Sequence, residues 1–365
     1  MNHKLQKVSQ WMKENDIQVS FITSPENVFY LSGFLSDPHE RLLGLAIFQD
    51  EEPFLVCPSM EVQDAKNAGW NYEIIGYSDI DQPWELIHNS INKRLSHVQK
   101  VAIEKEHMNV ERYEAITYLF NGATFVPAEE KLRKLRMVKD EYELKTIRRA
   151  CELADYAIQV GCEEIAEGKT ELDVLAAVEY ALKKKGVNEM SFSTMVLTGA
   201  NAASPHGTPG LTKIKKGDLV LFDLGVVVDG YCSDITRTVA FGDMDDKQKE
   251  IYDTVLQAQL KALEACKPGV PCSEIDLIAR NHIREAGYGE YFPHRLGHGL
   301  GISVHEYPSL TETNSLLLEE GMVFTIEPGI YVPNVAGVRI EDDLYLTKDG
   351  VEVLTKFPKE LQTIK

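Results

Sequence analysis

Residues 217–238 read GDLVLFDLGVVVDGYCSDITRT. An apolar run from Leu219 to Phe222 leads to Asp223, and Val226, Val227 and Val228 lead into Asp229-Gly230. That dipeptide favours a two-residue hairpin turn, because both central positions of such a turn need positive φ. With the turn there, Val228 faces Tyr231 and Gly225 faces Asp234. Strand side chains alternate faces, so Asp223 shares the face of Gly225 and becomes a diagonal neighbour of Asp234. Like charges that close in a half-buried sheet are costly unless a proton or a cation lies between them. The spacing predicts a metal ion at the root of this hairpin.

A second copy of the pattern lies downstream. GMVFTIEPG from Gly321 aligns with GDLVLFDLG from Gly217, which sets Glu327 on Asp223 and Gly329 on Gly225. Glu341 follows in the apolar stretch from Val338 to Leu346, on the same strand face as Arg339. Preceding helices repeat as well: TELDVLA from Thr170 matches SEIDLIA from Ser273. These matches predict an internal duplication in which each half gives two carboxylates to one centre. Between the hairpins, HRLGHGLGISVHEYP carries His294, His298 and His305 among glycines that permit close backbone approach. Ser204-Pro205-His206-Gly207 adds a fourth histidine upstream. Ser309 stands where a zincin would need its second histidine, so His305-Glu306 is no zincin motif.

The bulk properties narrow the class. With 38 basic against 57 acidic residues, the 365-residue chain carries a net charge of −19, which argues against nucleic acid or an anionic membrane as partner and suits a cation-binding cleft. The chain is long enough for two cores. No apolar run approaches membrane-spanning length, and the polar N-terminus does not read as a signal peptide. Six scattered cysteines without a C-x-x-C pair predict reduced, buried thiols in a cytoplasmic protein.

Taken in order, residues 1–130 alternate strand-like and helix-like segments and predict an α/β domain. Strands are expected at Val19–Thr23, Leu43–Phe48, Phe54–Cys57, Tyr72–Tyr77, Val101–Glu104 and Thr124–Val126. The loop SDPHER, with Asp37, His39 and Arg41, reads as solvated polarity. EEKLRKLRMVKD from Glu129 reads as a charged connector. Residues 131–365 then run helix, helix, strands, twice over. The first helix, roughly Glu141–Glu164, buries a stripe from Ile147 to Gly161; the second is capped by Thr170 and ends at Gly186. The expected fold class is α+β, with helices covering a mainly antiparallel, pseudo-twofold sheet.

Asp223, Asp234, His298, Glu327 and Glu341, in that order, with D-x-G, H-G-x-G, E-P-G and R-I-E-D around them, resemble the dinuclear metallopeptidases of the creatinase/aminopeptidase ("pita-bread") family, and within it the proline-specific branch. The likeness runs from about Met137 to the C-terminus, and residues 1–130 are similar in size and position to that branch's N-terminal domain. It implies that Asp234 and Glu341 bridge two divalent cations, Asp223 serving one and His298 and Glu327 the other. Four carboxylates and one imidazole suit Mn²⁺ and tolerate Co²⁺ or Zn²⁺. The resemblance further implies attack by a metal-bridging hydroxide whose proton passes to Glu327. His206, His294, His305 and Arg339 match substrate-contacting positions, with His206 and His305 stabilising the tetrahedral intermediate. The implied substrate is an Xaa-Pro dipeptide, as for a prolidase, or a longer peptide whose N-terminus begins with Xaa-Pro, as for an aminopeptidase P. A catalytically silent peptide-binding relative and a homodimer are the remaining implications.

Overall fold

A computed structural model describes residues 2–205 and 207–365. The chain divides into two compact units, Met1–Leu135 and Arg136–Lys365. In the first, six strands form one mixed sheet in the order Glu73–Tyr77, Phe54–Pro58, Gly44–Phe48, Val19–Ile22, Lys100–Ile103 and Thr124–Pro127. Three of these strands, reading VSFI, GLAIF and FLVCP, are buried at every position, which is why they are continuous apolar runs rather than alternating ones. All six expected strands are present. A helix at Pro25–Ser32 was not among the expected elements, although its boundaries were written locally. Ser24 caps it, Pro25 opens it, and Gly33 closes it in the left-handed region at φ 79°. The SDPHER loop is exposed at Asp37 and His39, and Arg41 pairs with Asp79.

The expected charged connector is instead helical over Glu129–Met137. Its acidic residues sit in the first turn, and Lys134 pairs with Glu130 one turn earlier at 2.6 Å. Leu132, 2% exposed, gives the segment an apolar anchor, and high charge density hid this short amphipathic pattern.

In the second unit each half contributes two helices and a hairpin. The first pair is Glu141–Glu164, capped by Asp140 and Glu143, and Glu171–Lys184, capped by Thr170 and Asp173. The second pair is Asp246–Ala265 and Cys272–Glu285. The stripe expected on the first helix is buried, and Gly161 lies so close to the sheet that a Cβ there would stand 2.5 Å from the Phe222 ring. A four-stranded sheet belongs to the first half and a five-stranded sheet to the second, each over its own apolar cluster.

Both hairpins keep one register through an interruption. In the first, Leu219–Leu224 pairs with Ile235–Phe241, while beyond the break Val226–Val228 pairs with Tyr231–Cys232 in a different sheet. Asp229 and Gly230 take φ of 46° and 82°, as the turn requires, and Val228 faces Tyr231. The register leaves Gly225 opposite Asp234 inside the break, where a Cβ on Gly225 would stand 1.9 Å from the Ser233 carbonyl oxygen. In the second hairpin, Val323–Ile326 pairs with Asp342–Thr347, and Gly329–Val332 with Ala336–Arg339. Its break holds Glu327 and Glu341 opposite one another. The duplication thus puts an interrupted, acid-bearing hairpin in each half.

Candidate metal centre

The two hairpins meet along a seam. The backbone N–H of Asp234 donates to Asp343 Oδ2 at 2.8 Å, that of Glu341 to the Thr236 carbonyl at 3.1 Å, and Thr238 Oγ1 to the Arg339 carbonyl at 3.0 Å. Residues 234, 236 and 238 therefore step past 343, 341 and 339 in antiparallel fashion. This stitching gathers acids that lie far apart in sequence. Asp223, Asp234, His298, Glu327 and Glu341 line one cavity of about 380 Å³, together with His294, His305 and Arg339. His206 lies outside the described residues; its neighbour Pro205 is on the cavity wall.

Asp234, His298 and Glu341 each offer a ligand atom within 4.8 Å of the other two. His298 Nε2 stands 3.2 Å from Glu327 Oε1 and 3.7 Å from Asp234 Oδ2. On the other ring edge, Nδ1 lies 3.1 Å from the Gly299 carbonyl, which can only accept, so Nδ1 carries the hydrogen of the neutral ring. The Nε2 lone pair then points at carboxylate oxygens. Lone pair against lone pair is repulsive unless a proton or a cation intervenes, and a backbone-oriented imidazole is the usual state of a metal ligand.

Further atoms lead to the same conclusion. Asp223 Oδ1, Asp234 Oδ1 and Glu341 Oε1 are buried and have no hydrogen-bond partner. Burial, then repulsion from neighbouring acids, raises the carboxyls of Asp234 and Glu341 well above the ordinary range. Asp223 is raised by burial too, against the pull of the Arg339 guanidinium. Glu327 goes the other way. Burial opposes its charge, but a proton on His298 Nε2, in the gap a cation would otherwise fill, donates to it, and with the nearby His294 and Arg339 holds it down to about 2. Three buried acids with three orphaned oxygens, beside the half-buried Glu327, match the donor chemistry of a divalent-cation site.

The surrounding hydrogen bonds form a chain. Thr236 Oγ1 donates to Glu341 Oε2 at 2.6 Å and accepts from Arg339 Nε at 3.1 Å. Arg339 also donates to Asp223 and, at 2.6 Å, to the Tyr331 hydroxyl. The hydroxyl lies 2.9 Å from His294 Nε2, whose ring is turned by a 2.8 Å contact from Nδ1 to the Arg295 carbonyl. Neither Thr236 nor Tyr331 was singled out in the sequence. Strand alternation could have found both, since Thr236 follows Asp234 by two and Tyr331 follows Glu327 by four. Phe192, Met195, Arg295 and Val304 are further wall residues that carried no motif.

His305 stacks edge-on to His298 with ring centroids 4.4 Å apart. Burial, then the neighbouring His298 and Arg295, lower it to about 4, so it is neutral at neutral pH. The next residue is clamped. Glu306 accepts from Arg136, from Lys139 Nζ at 3.2 Å and from the Ser303 N–H at 3.0 Å. These cations outweigh burial and hold Glu306 at about 2 against an ordinary 4.5. A folded value below the unfolded one means the stabilisation is complete above pH 4.5 and is lost as pH falls through 2. Glu306→Gln should therefore remove on the order of 3 kcal/mol at pH 7 and flatten the acid limb of stability. Urea melts of both proteins between pH 7 and 3 check this; parallel pH curves would contradict it.

Residues 145–348 match metallopeptidase family M24, and residues 4–138 match the creatinase/prolidase N-terminal domain. YkvY of Bacillus subtilis (strain 168), a protein carrying a provisional dipeptidase name, is 56% identical over 98% of this chain and 99% of its own. The prolidase from Pyrococcus horikoshii OT3 superposes with a TM-score of 0.91 at 40% identity, covering 99% of this chain and 100% of that one. An X-Pro aminopeptidase from Thermotoga maritima MSB8 gives 0.87 at 32% identity over 96% and 98%. Among the described residues, no helix is long and apolar enough to cross a membrane. All six cysteines are buried free thiols, with those of Cys57, Cys162 and Cys232 pushed up to about 12 by burial.

Proposed function

The chain belongs to metallopeptidase family M24, and on that premise we propose that it hydrolyses the bond before proline in Xaa-Pro dipeptides. Asp223, Asp234, His298, Glu327 and Glu341 would hold two divalent cations, with Asp234 and Glu341 shared between them. The observation that carries this reading is the set of unpartnered, buried carboxylate oxygens of Asp223, Asp234 and Glu341 on the cavity that His298 also lines. Their oxygen-rich character favours Mn²⁺. Bound there, the cations would acidify a water and polarise the scissile carbonyl.

The chain's own groups would do the rest. Glu327, ionised at neutral pH, accepts the proton released by the attacking water. His305, neutral and beside the cluster, donates a hydrogen bond to the carbonyl oxygen as charge develops there, and His206 is assigned the same task. His294 and Arg339, linked through Tyr331, line the same cavity and orient the substrate. Since Arg339 is engaged with Asp223, Tyr331 and Thr236, Arg295 is the better receptor for a dipeptide's free carboxylate. Its Nη1 reaches Ser309 Oγ only at 3.5 Å. The domain division near residue 130, a homodimer and a cytoplasmic location complete the proposal and rest on family likeness and composition.

The test is hydrolysis by Mn²⁺-loaded protein of Xaa-Pro against Xaa-Pro-Xaa. The dipeptide is expected to be preferred, and Arg295→Met to raise its KM by at least about tenfold, the scale of one charge-assisted hydrogen bond. Efficient tripeptide cleavage, insensitive to Arg295→Met, would replace this reading with an Xaa-Pro aminopeptidase, which the Thermotoga maritima likeness also supports. Neither activity in metal-loaded protein would leave a peptide-binding relative.

A further inference from the structure

Arg237 alternates with Asp234, Thr236 and Thr238 and so points away from the cavity, yet it is 1% exposed and among the largest fully buried side chains. Its guanidinium is fully engaged. Nη1 donates to the Thr236 carbonyl at 3.0 Å and to the Glu341 carbonyl; Nη2 donates to Asp342 Oδ1 at 2.6 Å and the Phe357 carbonyl at 2.7 Å. Nε reaches the carbonyls of Phe357 and Pro358 at 3.0 and 3.2 Å. One planar group thus grips both edges of the seam and the C-terminal segment beneath it. Asp342 is shared in turn with Gln259 at 2.6 Å, Thr355 at 2.9 Å and Lys359.

We propose that Arg237 is a positioning residue for the metal centre, fixing the separation of the strands that carry Asp234 and Glu341. The inference rests on the proposed ligand roles of those two acids. The seam has few ladder bonds of its own, because the two hairpins belong to different sheets. A shared ligand pair tolerates little drift, since each oxygen must reach its cation at a fixed distance. Arginine suits the task and lysine does not: the rigid fork meets acceptors on both strands at once, whereas an ammonium on a flexible stem holds a point.

The experiment is an Mn²⁺ titration of chelator-stripped wild type, Arg237→Lys and Tyr252→Phe by calorimetry, with melting temperatures and kcat and KM. Tyr252→Phe is the control, because its hydroxyl holds the same C-terminal segment, through the Lys359 carbonyl at 2.8 Å, without bonding either seam strand. Wild type should bind two ions. Arg237→Lys should weaken at least one of them by 10- to 100-fold, the usual scale for groups that orient ligands, and lower kcat more than it raises KM. Tyr252→Phe should lose stability while keeping both affinities. Where Arg237→Lys fails to fold, Asp342→Asn carries the same expectation with the guanidinium in place. Wild-type affinities in the folded seam variant, or an equal loss in Tyr252→Phe, would overturn the positioning role alone. Wild type that binds no Mn²⁺ would overturn the proposed function and the positioning role together.

Discussion

Asp234→Asn and Glu341→Gln are expected to abolish hydrolysis of Xaa-Pro and to leave at most one cation per chain. Groups that merely orient a ligand cost about 10- to 100-fold when removed, so a carboxylate shared by two ions should cost on the order of 10³-fold or more. The metal-free proteins should respond in the opposite sense. Asp234 and Glu341 are 4% and 2% exposed and crowd Asp223 and Glu327, so burial and mutual repulsion both oppose their charge. Neutralising either acid relieves that repulsion. The stripped variants should melt at or above the stripped wild type, yet gain less on Mn²⁺ addition. Elemental analysis and paired melts with and without Mn²⁺ read both effects. Full activity with two ions in either variant would exclude the assignment.

Gly299→Ala should be severely damaging. The strand Gly297–Gly299 lies between Glu306–Leu310 and Val323–Ile326, and a Cβ on Gly299 would stand 1.9 Å from the Tyr307 carbonyl oxygen. Backbone on a neighbouring strand cannot rotate aside as a side chain can. The strand must shift, and with it the Gly299 carbonyl that orients the His298 ring. A loss on the order of 4 kcal/mol is expected, with a melting temperature lower by about 10 °C. Weakened Mn²⁺ binding should accompany it, because the Nε2 lone pair would turn from the cluster. A melting temperature within about 2 °C of wild type, with unchanged metal binding, would show that the strand accommodates the methyl group.

The acidic residues were legible because turn chemistry and strand alternation are local rules. Asp229-Gly230 set the register of the first hairpin, and the register then set Gly225 against Asp234 without any long-range information. The second hairpin was legible by comparison with the first. His298, His294 and His305 stood out because glycines beside them signalled close backbone approach, and Gly297 and Gly299 do lie against neighbouring carbonyls. Arg237 and Arg295 had no such signal. Arg237 lies in an apolar strand among threonines and gains its meaning from the Phe357 and Pro358 carbonyls, which are 120 and 121 residues away. Highly charged residues 129–137 read as a connector because the pairing of Lys134 with Glu130 and the burial of Leu132 appear only once the turn is wound.

Residue order alone was sufficient for the duplication, the α+β class and the identity of the acids, since each follows from periodicity, turn dipeptides or a repeated string. Which atoms face one another was beyond its reach. The orphaned oxygens and the commitment of Arg339 to Asp223 arise where two separate hairpins are stitched side by side, and the Nε2 of His298 opposes Glu327 where the Gly297–Gly299 strand joins the second hairpin. Distances across that seam depend on packing between segments more than a hundred residues apart, and no local rule encodes them.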